Sequence, residues 1–254
     1  MINTFINESI VKRAQESKKV TINIVNLREF GEGTYNQVDD RPYGGVAGMV
    51  LMVEPLVQAI KKNTRYTLHA TKNNNPKPEA PNPKQRIILT SAKGKSYTQK
   101  KAQELSNQKE LIIICGHYEG IDERVMDYVD EEISLGDFVL TGGEIAACAI
   151  VDSIVRLVPG VLKKEEATEE ESFFEVSVQQ LLKLFPDDKS LQTLQEKKIQ
   201  SITLLEYPHY TRPDTFEKVS VPKVLLSGNH KDIKEWRLTQ AYLQTKQKRP
   251  DLLR

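Results

Sequence analysis

Gly116, Gly136, Gly142 and Gly143 fall within one segment, LIIICGHYEGIDERVMDYVDEEISLGDFVLTGGEI, running from Leu111 to Ile145. The apolar run Leu111–Cys115 stops at Gly116; a second run, Ile133–Leu140, carries Gly136 inside it and ends at Gly142-Gly143. Glycine permits positive φ and close backbone approach, so two strand-to-glycine switches about 20 residues apart suggest two main-chain loops converging on one ligand. Tyr118, Glu119, Asp122, Glu123 and Arg124 fill the space between with polar groups that a purely structural turn does not need. Neither loop has the GxGxxG or GxxxxGK[ST] spacing, which excludes the Rossmann fingerprint and the P-loop.

These loops need strands and helices to hold them. Ile2, Phe5, Ile6, Ile10 and Ala14 share one face of a helix, and Thr21–Val25 alternates as a strand. A glycine-punctuated polar loop from Arg28 to Gly48 follows, then a helix from Glu54-Pro55 through Lys62. Lys72–Lys84, with four prolines and three consecutive asparagines, reads as a surface loop or disordered insertion. Next come strand Arg86–Thr90, a break over Ser91–Ser96, helix Thr98–Asn107, strand Leu111–Cys115, a polar helix through Tyr128, strand Ile133–Leu140 and helix Glu144–Arg156. This alternation indicates an α/β domain with a mostly parallel sheet.

The character changes after Leu162. Lys163–Glu175 is strongly acidic and aperiodic, as in an exposed linker, and Val176–Phe185 and Leu191–Leu205 read as short amphipathic helices. A last helix spans Ile233–Tyr242 and carries Trp236. From Pro222 onward eight basic residues face only Asp232, Glu235 and Asp251. Such a run is by default a solvated face. On a protein of net charge +1 its segregation also suits contact with phosphates. Cys115 and Cys148 both lie in apolar runs and read as buried free thiols in a reducing compartment; the four histidines lack ligand spacing. No apolar stretch reaches the roughly 18 residues of a membrane span, and no secretory leader is visible, so the expectation is a cytoplasmic protein without membrane contact.

Six segments resemble the bacterial tRNA (guanine-37-N1)-methyltransferases of the knotted SPOUT superfamily. They are DDRPYGGVAGMVLMVEPL from Asp39, CGHYEGIDERV from Cys115, DEEISLGDFVLTGGE from Asp130, IVDSIVRLVPGVL from Ile150, YPHYTRP from Tyr207 and VPKVLLSGNHKDIKEWR from Val221. The resemblance implies an α/β fold whose mostly parallel sheet is threaded into a deep trefoil knot, followed by a small, mainly helical C-terminal domain. It implies S-adenosylmethionine as methyl donor, tRNA as partner, a homodimer with sites built from both subunits, and Mg2+ as a possible accessory ion. The expected organisation is a knotted catalytic domain over 1–162, an acidic linker with a family-atypical insertion over 163–206, and a helical tRNA-binding domain over 207–254.

Carried over by position, the cofactor site comprises Gly116, Tyr118 and Glu119, then Leu135, Gly136, Asp137, Phe138, Val139 and Leu140, then Gly142 and Gly143. The Ser91–Gly94 turn, with Ala92 and Gly94, supplies a third wall. Phe138 suits core packing as well as a ligand contact. Guanine N1 keeps its proton at neutral pH, so methylation there needs a general base and a cation or donor for charge on O6. The family uses an aspartate of the interdomain linker as base and an arginine at the end of the last knot helix. Arg156 matches the arginine, at a helix C-terminus that favours a cation in any case.

At the aspartate's position stands Glu171, with Glu170 as the fallback. Its longer side chain matters, because a misplacement of roughly 1 Å can cost on the order of 100-fold in rate. Val46 replaces a third glycine, and Ala92 and Ala146 replace prolines that line the cofactor pocket. The stretch between Phe173 and Tyr207 exceeds the family pattern by about two helices, as an extra lid or as a neutral insertion of the kind loops tolerate. The family opens on a strand ending in Phe-Pro-Glu before the helix at Met1; the expectation is a start upstream, which N-terminal sequencing of the native protein checks. Two other readings compete: a catalytically silent tRNA-binding relative, and a knotted methyltransferase with another RNA target.

Overall fold

The computed structural model describes residues 1–45, 47–64, 85–162 and 171–253. Val46, the proline-rich stretch 72–84, Glu170 and most of the acidic linker lie outside them. The chain divides into two compact units, Met1–Lys163 and Lys164–Arg254.

In the first unit, helices α1 (Ile2–Ile6) and α2 (Ser9–Glu16) replace the single expected helix. The helix breaks at Asn7-Glu8, where the Asn7 side chain bonds back to the Asn3 carbonyl. Thr21–Val25, expected as a strand, has no ladder partner among the described residues, and Ile24 and Val25 are exposed. Alternation sets a backbone preference, but a strand also needs a neighbour. The two-residue strands β1 (Asp39–Asp40) and β2 (Val50–Leu51) pair antiparallel, and α3 (Val53–Asn63) follows with Pro55 in its first turn.

The sheet that organises the unit contains β3 (Gln85–Ser96), β4 (Glu110–Cys115) and β5 (Glu131–Ser134), with α4 (Gln99–Ser106) between β3 and β4 and α5 (Glu144–Val155) after β5. The strands are parallel in the order β4–β3–β5. Alternation along β3 divides its side chains between two layers. Ile87 and Leu89 pack with Ile114, Leu56, Ile60 and Val125 on the α3 side, and Ile88 packs with Leu105, Ile133, Ile150 and Ile154 on the α4–α5 side.

Three expectations are corrected here. β3 does not end at Thr90 but bulges over 91–94, with Thr90 and Lys95 both paired to Ile133. β5 starts earlier than expected and ends at Ser134, so 135–140 is loop: the Ser134 hydroxyl bonds both main-chain groups of Gly136, turning the chain away. The polar helix before Tyr128 is a 3-10 turn, Glu123–Tyr128, capped by Asp122.

In the second unit, β6 (Phe174–Ser177) leads into α6 (Val178–Leu184) and α7 (Lys189–Glu196) and pairs antiparallel with β7 (Ser201–Leu204). Both expected helices were therefore too long, each having a strand at one end. The hairpin β8 (Thr215–Phe216) and β9 (Val219–Ser220), α8 (Lys223–Leu226) and the long α9 (His230–Lys248) complete it. A single core joins Val176, Leu181, Leu191, Leu194, Ile202 and Leu204 to Ala241 and Tyr242 of α9.

Candidate active site

The loops expected to bind a ligand gather at the carboxyl ends of the parallel strands, where open α/β sheets place their ligands. Ser91–Gly94 bulges out of β3, Gly116–Asp122 leaves β4, and Leu135–Gly143 leaves β5. The last two are joined by main chain: Gly143 N–H donates to the Gly116 carbonyl at 2.8 Å, and His117 forms an antiparallel bridge with Gly142.

Packing explains several of the glycines. A Cβ at Gly143 would stand 2.2 Å from the Thr90 hydroxyl and 2.9 Å from Cys115 Cα. One at Gly94 would lie 2.5 Å from the backbone of Glu132 and Ile133, so the β3 bulge can rest on β5 only without a side chain. Gly116 differs: its Cβ would meet only ordinary contacts at 3.8 Å and beyond, so packing does not require a glycine there. Gly136 has φ +150°, a conformation side chains resist. Beyond it Phe138, Val139 and Leu140 are exposed, Val139 almost fully. Phe138 is therefore not a core residue, which removes that half of the expectation.

Tyr118 adopts φ +57° and is exposed. Its loop is tied to the segment before β2: Glu119 N–H donates to the Met49 carbonyl at 3.1 Å, and Leu51 N–H to the Gly120 carbonyl at 3.0 Å. Two side chains missed in the sequence complete the assembly. Thr90, buried, donates its hydroxyl to the Ile114 carbonyl and fills the space beside Gly143. His117 Nε2 lies 2.5 Å from Glu144 Oε1, clasping the β4 loop to the first turn of α5. Scattered histidines are no signal in themselves, but His117 adjoins Gly116, and that adjacency could have flagged it. Cys115 and Cys148 are free but only half-buried, less enclosed than expected; burial, then the nearby Glu144 carboxylate and Cys148, push the Cys115 thiol up to about 12, which disfavours the thiolate.

The structure thus brings together Ala92, Gly94, Gly116, Tyr118, Glu119, Gly142 and Gly143 with the 135–140 loop, all in the first unit. Ala146 is buried in α5. Arg156 is the C-cap of α5, half-buried, whereas Glu171 belongs to the second unit, where it is also half-buried.

A parallel α/β unit with glycine-rich loops clustered at its strand ends, followed along the chain by a mainly helical unit, is the class defined by this geometry. The chain matches the family model described as tRNA (Guanine-1)-methyltransferase TrmD over residues 1–254, and it belongs to that family. It is 44% identical over 254 residues to a tRNA (guanine-N(1)-)-methyltransferase of Clostridium tetani, covering 100% of this chain and 88% of the relative. It is 47% identical over 253 residues to the protein of that name from Carboxydothermus hydrogenoformans, covering 98% and 81%. With that of Syntrophomonas wolfei it shares 46% over 247 residues, covering 97% and 83%.

Proposed function

We propose that this protein transfers a methyl group from S-adenosylmethionine to N1 of guanine 37 in tRNA. The observation that carries the reading is family membership over the whole chain, and the glycine-built cradle at the strand ends supports it. The cradle fits such a cofactor in kind: loops with few side chains at Gly116, Gly142 and Gly143 and exposed apolar edges at Phe138 and Leu140 suit a flat adenine and a bulk-sensitive sulfonium. When bound, the cofactor supplies the methyl group. Gly116, Tyr118, Glu119, residues 135–140, Gly142, Gly143 and the Ala92–Gly94 bulge would hold it.

In the proposed reaction Glu171 takes the N1 proton as the new C–N bond forms, and the Arg156 guanidinium stabilises negative charge gathering on O6. With a sulfonium donor charge would balance, since the S–CH3 bond broken would leave a neutral thioether and the N1 proton would pass to the Glu171 carboxylate. The family's trefoil knot, a homodimer, a cytoplasmic location and the three-part division at 162 and 206 belong to the same proposal. So does a dependence on Mg2+, read from methylation with and without EDTA. Among the described residues, no helix is long and apolar enough to cross a membrane.

The glutamate at the family's aspartate position favours one second reading, a silent tRNA-binding relative. Transfer of labelled methyl to tRNA transcripts carrying guanine or adenine at position 37 separates them. Guanine-dependent labelling is expected; tRNA and cofactor binding without labelling would favour the silent relative, and labelling indifferent to position 37 would point to another RNA target.

A further inference from the structure

The second unit contains a cleft that none of the cofactor residues lines. Its volume is about 180 Å3, below the roughly 300–1,000 Å3 of a site for a drug-sized ligand but suited to one flat ring. Phe174, Val176 and Gln180 form one wall, and Tyr207, Lys234 and Arg237 the other. The first wall comes from β6 and α6, within the stretch that exceeds the family pattern; the second comes from the YPHYTRP and GNHKDIKEWR segments.

The second wall is a ledge of aromatic and cationic side chains in contact. The Arg237 guanidinium lies over the Tyr207 ring at 4.8 Å, and the His209 ring packs against Tyr207 with centroids 4.8 Å apart. His209 is positioned in turn by Glu206, its Nε2 lying 3.2 Å from the carboxylate. A guanidinium over an aromatic ring sets a planar cation beside a π-face, the kind of group on which unstacked bases settle. Lys234 adds exposed positive charge beside it, while the exposed Glu175 at the rim turns a phosphate away toward the lysine side.

We propose that this cleft receives an unpaired nucleotide of the tRNA substrate, its base stacked on the Arg237–Tyr207 ledge and its edge read by Gln180. The proposal rests on the tRNA reading above. It gives the extra β6–α6 segment a role: that segment closes a groove into a pocket for one base. A base, and not a phosphate alone, is the occupant because the ledge is planar and the opposite wall is apolar and uncharged at Phe174 and Val176.

The test measures the affinity of the full chain for a fluorescently labelled tRNA transcript by anisotropy, so it does not depend on turnover. Gln180 is exposed, so Gln180→Trp fills the cleft and spares the core. About tenfold weaker tRNA binding is expected, in line with the value of one stacked base. The slope of log affinity against log salt should stay unchanged, because no phosphate contact is lost. Tyr207→Leu, checked for folding by thermal unfolding, should act the same way, and both effects should vanish on a fully paired RNA hairpin. Unchanged affinity in Gln180→Trp, or an equal loss on the paired hairpin, would overturn the proposal. Failure of the wild-type chain to methylate tRNA would instead count against the activity, and the binding result would still decide the cleft.

Discussion

Gly143 shows how little freedom the site has at single residues. A methyl there collides with Thr90 and Cys115, so Gly143→Ala should cost about 1–3 kcal/mol in thermal unfolding and weaken cofactor binding, as an overpacked core position does. Full stability and an unchanged KM for S-adenosylmethionine would show that the two loops can part without penalty. For Glu171 the expected loss is chemical: Glu171→Gln keeps the shape and removes the base, so kcat should fall on the order of 100-fold or more while tRNA affinity holds. Unchanged kcat would rule Glu171 out as the base. Cys115 carries a pH dependence. Its folded value of about 12 lies above the ordinary 9.0, so the stabilisation is complete below about pH 9 and is lost as pH rises from there toward 12. Alkylation by iodoacetamide at pH 8 should accordingly be slow in the native protein and fast in urea; equal rates would contradict the burial.

At the scale of elements, α7 and α9 are fastened by a polar link at the edge of their shared core. Asp188 caps α7 through the Ser190 and Leu191 N–H groups, and also accepts from the Tyr242 hydroxyl at 2.9 Å and the Lys246 ammonium at 2.6 Å. Burial alone would raise the Asp188 carboxyl, but these donors outweigh it and hold the group below the usual aspartate range. The depressed value means that the contribution is present above that range and lost as pH falls through the folded value. Tyr242→Phe should lower stability by about 1 kcal/mol, read from the urea midpoint at neutral pH. The difference from wild type should narrow in acid. A midpoint identical to wild type at neutral pH would leave apolar packing as the whole of the attachment.

For the whole molecule, exposed apolar groups mark where the first unit is expected to meet a second copy. Ile24 and Val25 have no ladder partner among the described residues, and Phe138, Val139, Leu140 and Ile145 are exposed. Sedimentation should give a dimer at micromolar concentration. A monomer with full methyltransferase activity would show that one copy completes the site.

Local chemistry determined much of this protein in advance. The apolar runs of β4 and α5 and the cap at Thr98 lie in a few consecutive residues, where periodicity and hydrogen-bonding preference act directly. The glycine loops were legible for the same reason, since a glycine at the end of an apolar run marks where the chain turns. The tertiary structure decided what depends on distant neighbours. Thr21–Val25 alternates as a strand but has no ladder partner among the described residues, and β3 runs on past Thr90 because β5 supplies a bulged partner. Val176–Phe185 and Leu191–Leu205 carry helical periodicity, yet Val176-Ser177 and Ser201–Leu204 become strand once β6 and β7 pair antiparallel across the two intervening helices. Thr90 and His117 owe their roles to Gly143 and Glu144, dozens of residues away. Such pairings are made by packing between elements, and no local periodicity couples the two partners.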